Sequence, residues 1–217
     1  TVAHAVIACF LSDTAAAMMA YAEHVPTAIP RIALVDFNND SITDSLRTMA
    51  AMFTRYAALL DDGKKEEAQR YVLYGVRLDT SGTLRDVNVP PLGDPLLDLG
   101  VTPRLVFNVR QALDAAWQTW ELRPDQIDLA QQYCRAVKIV VTGGFNPEKI
   151  IRFEKLSVPV DIYGVGSSLL INDKETNNDF TADVVRVKIN GRWLDMAKVG
   201  RGPSDNPELQ PVDLTNL

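Results

Sequence analysis

Four short apolar runs, each followed by a turn and a stretch able to form a helix, constrain this chain more than any other feature. PRIALVD (30–36), YVLYGVRLD (71–79), VKIVVT (137–142) and VPVDIYGVG (158–166) have the aliphatic and β-branched content of strands buried on both faces. Strand and helix alternating through short connections predict an α/β fold, a parallel sheet covered by helices. In such sheets ligands gather at the carboxyl ends of the strands. Asp36, Arg77, Asp79, Gly143, Gly144, Gly164 and Gly166 all fall at those ends.

Between the strands, residues 3–22 are rich in alanine and methionine and read as one buried helix. A second helix follows to about Leu60, with Ser41 or Thr43 as its cap, and 61–69 reads as a solvated, charged connection. Residues 80–100 have the Gly, Pro and Asp density of a long loop. Thr102-Pro103 and Asn146-Pro147 are cap-plus-proline helix starts, a helix is expected near 124–135, and a short one from Ser167. Asn190-Gly191 between alternating runs predicts a β-hairpin in an adjoining layer, with residues 202–217 an extended tail. Two units follow, 1–180 as the α/β portion and 181–217 as hairpin and tail.

The 217 residues are 47% hydrophobic and carry a formal net charge of −6. That acidity disfavours a nucleic-acid surface or an anionic-membrane binder, so an anion would be held by local geometry. Cys9 and Cys134 show no CxxC spacing and read as buried reduced thiols of a cytoplasmic protein. No apolar run reaches the ~18 residues of a membrane span. A start at Thr1, inside a helical pattern, suggests a fragment or processed piece.

Thr142-Gly143-Gly144 runs into Asn146-Pro147, and Gly164-Val165-Gly166 runs into Ser167-Ser168. A helix N-terminus offers unpaired N–H groups and a positive dipole end, and glycine lets oxygens approach the backbone. Either turn alone can be a tight connection; two on consecutive strands favour a shared phosphate. Neither matches a P-loop or a dinucleotide fingerprint.

Arg77 and Asp79 share a strand face by the two-residue period. They read as a salt bridge, or as a site in which Asp79 meets ribose hydroxyls and Arg77 a carboxylate or ring. Thr80 and Ser81 add donors of the kind a pyrophosphate needs. His4 and His24 are the only histidines. On its residues alone His4 reads as packed and His24 as a surface residue. No catalytic triad, HExxH or paired-glutamate motif appears, and no residue is assigned as a metal ligand.

TVAHAV, RIALVDFNNDSITDSLR, YGVRLDTSGTLRDV, VKIVVTGGFNPEKIIRFEKLSVPVDIYGVGSSLL and NDFTADVVRVKINGRWLDMAKVGR together cover most of the chain. In this order they resemble the C-terminal part of the nicotinate phosphoribosyltransferases, type II phosphoribosyltransferases. The resemblance implies a partial (β/α) barrel and transfer of a phosphoribosyl group from 5-phosphoribosyl-1-pyrophosphate to nicotinate, with Mg²⁺ and ATP. It places the 5′-phosphate at Thr142–Gly144 and Gly164–Ser168, and the ring and ribose at Arg77 and Asp79. It makes His4 the histidine that ATP phosphorylates. It further implies a homodimer, or a partner chain supplying an N-terminal domain absent before Thr1, and hence a ring-stacking aromatic from outside this sequence. A non-catalytic phosphometabolite-binding subunit and transfer to nicotinamide stay open; quinolinate transfer is disfavoured.

Overall fold

Every parallel pair in this chain joins strands consecutive in sequence. A computed structural model describes residues 1–169, 182–203 and 207. Strands β1 (Arg31–Leu34), β2 (Leu73–Leu78), β3 (Lys138–Val141) and β4 (Ile162–Tyr163) form one four-stranded sheet in the order β1-β2-β3-β4, all parallel. The α/β expectation therefore holds, with four parallel strands and a separate hairpin. β4 is shorter than the strand 159–163 expected ahead of the glycine turn: only Ile162 and Tyr163 pair in the ladder.

Register decides which residues meet. Ala33, Val76 and Ile139 lie side by side and are fully buried on one face of the sheet. Leu34, Arg77, Val140 and Ile162 form a row on the other face. Two residues further along, Asp36, Asp79, Thr142 and Gly164 continue that row past the strand ends. Backbone bonds from Thr142 N–H to the Leu78 carbonyl (2.9 Å) and from Gly164 N–H to the Val141 carbonyl (2.8 Å) carry the ladder that far.

The stretch 3–22 is two helices, α1 (His4–Cys9) and α2 (Thr14–His24), not one, and Cys9, at the end of α1 beside the break, is exposed where only Cys134 is buried as expected. Leu11 and Ser12 adopt positive φ, 55° and 67°, and the Asp13 carboxylate caps α2 by accepting from Ala16 N–H. Alanine content signals helix but cannot override a cap residue that offers its own chain reversal. α3 (Ser41–Asp61) is capped by Asp40, which accepts from Thr43 N–H, so neither Ser41 nor Thr43 is the cap. Within the supposed connection 61–69 lies a short helix, α4 (Lys65–Ala68).

Residues 80–100 contain a helical turn, α5 (Pro95–Asp98), and are held by buried carboxylates. Asp86 accepts from the Ser41 N–H (3.1 Å) and hydroxyl (2.7 Å), and Asp98 from the N–H groups of Leu92 and Gly93. α6 (Pro103–Ala115) starts at the expected Thr102 cap, α7 (Ile127–Ala136) follows, and α8 (Pro147–Lys155) starts at the Asn146 cap. The helix expected from Ser167 is a single 3-10 turn, Ser167–Leu169.

β5 (Arg186–Ile189) and β6 (Arg192–Asp195) form the hairpin through Asn190 and Gly191, both at positive φ. Residues 170–181 and most of the tail expected at 202–217 lie outside the described residues. No helix among the described residues is long and apolar enough to cross a membrane.

Candidate functional site at the carboxyl edge of the sheet

Two clefts open side by side where β2, β3 and β4 end, and both are lined by Arg77 and Asp79. The first, about 370 Å³, brings together Thr142, Gly143, Gly144, Gly164, Val165 and Gly166, all six from the two glycine turns. The second, about 350 Å³, adds His4 and Asp183.

In the first cleft Gly143 and Gly144 take φ of +86° and +69°, values that side-chain-bearing residues rarely adopt. A Cβ on Gly143 would lie 3.3 Å from Asp79 Oδ1, so the turn sits directly against that carboxylate. The N–H groups of Gly143, Gly144 and Gly166 meet no acceptor among the described residues. Such donors at a strand-to-helix turn suit an anion. Lys149 lies behind the turn and lines a neighbouring cleft: its Nζ is 3.4 Å from the Gly143 carbonyl and 4.2 Å from the Phe145 ring centre. Burial and the nearby Arg152 charge lower its pKa from the ordinary lysine value.

Gly164 has a different reason to be glycine. A Cβ there would come within 2.5 Å of Thr142 Cγ2, so close packing of β4 on β3 demands it. The Thr142 hydroxyl donates to the Leu78 carbonyl at 3.1 Å, and the Ser168 hydroxyl to the Phe145 carbonyl at 3.3 Å. Both hydroxyls thus brace the turns. The side chain of Ser167 lies outside the described set.

Neither Thr80 nor Ser81 lines either cleft. Thr80 is buried, with its hydroxyl unpartnered among the described residues, and the Ser81 hydroxyl pairs with that of Thr83 at 3.1 Å. Arg77 and Asp79 make the expected contact, 3.5 Å between guanidinium and carboxylate. Arg77 Nε is buried without a partner among the described residues, leaving a donor beside the cleft.

His4 opens α1, which points it at the row of strand ends. Its Nε2 lies 3.0 Å from Asp36 Oδ1 and its Nδ1 lies 3.6 Å from Asp183 Oδ1. A carboxylate can only accept, so Nε2–H donates to Asp36, and Nδ1 is the ring nitrogen turned towards Asp183 and the cleft. Asp36 is 1% exposed. Burial alone would raise its pKa, but the hydrogen bond with His4 and the charge of Lys198 outweigh burial and hold the carboxyl below its ordinary range. Arg201 Nε pairs with Asp183 Oδ2 at 2.9 Å.

Asp36 is legible in the sequence only as an acidic strand end, and Asp183, Lys198 and Arg201 carry no motif that would single them out. Their partners lie far away in the chain, so pairing is visible only after folding. A larger cleft of about 490 Å³ lies between Pro95–Pro103 and α8, away from His4, Asp36 and Asp79. Its walls combine Leu96, Leu99, Val101 and Phe153 with the charged Glu148, Lys149 and Arg152, and they hold no histidine or carboxylate pair. No family model, curated protein or solved structure matches the chain.

Proposed function

We propose that this chain is the catalytic portion of a phosphoribosyltransferase of NAD salvage, joining nicotinate to 5-phosphoribosyl-1-pyrophosphate, and that β1–β4 are consecutive strands of a (β/α) barrel. One observation carries the reading: two glycine turns on adjacent strands line a single cleft together with Arg77 and Asp79. The free N–H groups of Gly143, Gly144 and Gly166 hold the 5′-phosphate. Asp79 accepts from the ribose hydroxyls, and Arg77 faces the ring or its carboxylate.

The bond between ribose C1 and pyrophosphate breaks, leaving an oxocarbenium-like carbon that the pyridine nitrogen attacks. The protein's part is to hold both reactants in line and to stabilise the departing charge with Arg77. Mg²⁺ carried in with the pyrophosphate supplies further neutralisation of the leaving group. His4 accepts the γ-phosphoryl of ATP on Nδ1 while Asp36 holds the Nε2–H. This couples ATP hydrolysis to substrate affinity, and His4 stays off C1. A second subunit supplies the aromatic residue for the ring and completes a homodimeric site.

Titration of ¹⁵N-labelled chain with ribose 5-phosphate tests the cradle. The amides of Gly143, Gly144 and Gly166 are expected to shift together, and unmoved amides there sink the proposal. Assays with nicotinate or nicotinamide, with and without ATP, then test the reaction. His4→Ala keeps ATP-independent transfer and loses protein phosphorylation; retained ATP coupling in that variant refutes the role of His4. Amide shifts without product would leave a phosphometabolite-binding subunit.

A further inference from the structure

The segment after β6 carries a cation into the interior of the site. Lys198 is 5% exposed, and its Nζ contacts Asp36 Oδ2 and donates to the Asp79 carbonyl at 3.0 Å. The backbone around it is pinned. Val199 N–H donates to the Phe37 carbonyl at 2.9 Å, next to Asp36, and Arg201 N–H donates to the Lys198 carbonyl at 2.9 Å. Gly200 passes so close to Leu84 that an added Cβ would lie 2.6 Å from Leu84 Cδ1. The hairpin and the segment leaving it therefore deliver Lys198 to one place.

What that place is follows from its neighbours. His4, Asp36 and Asp79 each present a ligand-type atom within 4.8 Å of the others, a spacing that a shared cation can bridge. Among the described residues, the charges around His4 are the negative Asp36, Asp79 and Asp183 and the positive Lys198, Arg77 and Arg201. Each carboxylate has its own cation: Asp36 has Lys198, Asp79 has Arg77, and Asp183 has Arg201. Asp36 spends one oxygen on His4 and the other on Lys198. A divalent ion needs free carboxylate oxygens at short range and uncompensated negative charge. Among the described residues Asp36 has no oxygen left to give and every carboxylate of the cluster has a cation beside it, so Asp79 Oδ1, open to the cleft, is left as a lone and charge-compensated ligand.

We infer that Lys198 is the built-in counter-cation of the His4–Asp36–Asp79 cluster: it positions Asp36 against His4 and closes the cluster to a divalent metal. Any divalent ion at this edge then has to enter with an anionic ligand instead of binding the protein alone. These contacts are present whether or not the chain transfers a phosphoribosyl group.

The chain's two histidines make the test direct, with His4 in the cluster and His24 as an internal control. Mn²⁺ is titrated into the full chain without phosphorylated ligands, and paramagnetic broadening of the imidazole signals is followed. In the wild-type protein His4 keeps its linewidth. In Lys198→Met the uncompensated carboxylates take up Mn²⁺, and His4 broadens at about tenfold lower concentration or less. Lys198→Arg keeps a cation and follows the wild type. Equal broadening of His4 in wild type and Lys198→Met overturns the inference. Should Lys198→Met not fold, the wild type and Lys198→Arg decide: sub-millimolar Mn²⁺ broadening His4 but not His24 in either overturns it, and sharp His4 signals in both support it.

Discussion

The Asp36–Lys198 pair makes a quantitative prediction about stability. Asp36 is 1% and Lys198 5% exposed, so each ion depends on the other for the solvation it has lost. Removing one partner strands the other charge in the interior, at a cost of about 3–5 kcal/mol. Asp36→Asn leaves the Lys198 ammonium without a carboxylate; Lys198→Met leaves Asp36 with His4 alone. Asp36→Asn/Lys198→Met has no buried charge to strand, so its loss is expected to fall short of the sum of the single losses by about 2 kcal/mol or more. Against a total stability of about 5–15 kcal/mol, that coupling is readily measured. Urea unfolding at neutral pH, followed by tryptophan fluorescence, provides the cycle. The folded Asp36 carboxyl ionises below its unfolded value of about 3.9. Its contribution is therefore fully present above about pH 4 and is lost as pH falls through the folded pKa, so the coupling shrinks in acid. Losses that add within about 0.5 kcal/mol at neutral pH would refute the pairing.

Asp44 should show the opposite dependence on pH. Burial pushes its carboxyl up to about 6 against the hydrogen bonds from Asn38 and Thr14, so between about pH 4 and 6 the folded state keeps a proton that the unfolded chain releases. Relative to Asp44→Asn, the wild type is expected to lose up to about 3 kcal/mol of stability across that interval and then level off; a difference independent of pH contradicts this. At the glycine turns, Gly164→Ala drives a Cβ to within 2.5 Å of Thr142 Cγ2, so thermal unfolding should report a loss of about 1–3 kcal/mol. Adding Thr142→Ser, which removes that methyl group, should restore much of the loss and the ribose 5-phosphate response. A double variant no better than Gly164→Ala places the strain elsewhere.

Local chemistry made much of this molecule legible in its sequence. The apolar runs at 31–34, 73–78 and 138–141 became parallel strands because their side chains suit a sheet buried on both faces. Thr102 and Asn146 became caps because each offers an oxygen to the N–H three residues on. Gly143, Gly144, Arg77 and Asp79 could be placed at strand ends by counting residues, and the sheet brings them to one cleft. Misjudged elements were those where a side chain outbid local propensity. Asp13 broke an alanine-rich helix in two, and Asp86 and Asp98 gave order to a loop that reads as long and polar. Only the tertiary structure could supply Lys198. Nothing in the residues after the hairpin distinguishes that lysine from a solvated one. It is buried because the segment leaving the hairpin is anchored at Phe37 and Leu84, and its partner Asp36 follows a strand early in the chain. Electrostatic pairing depends on distance in space, and distance along the chain does not encode it.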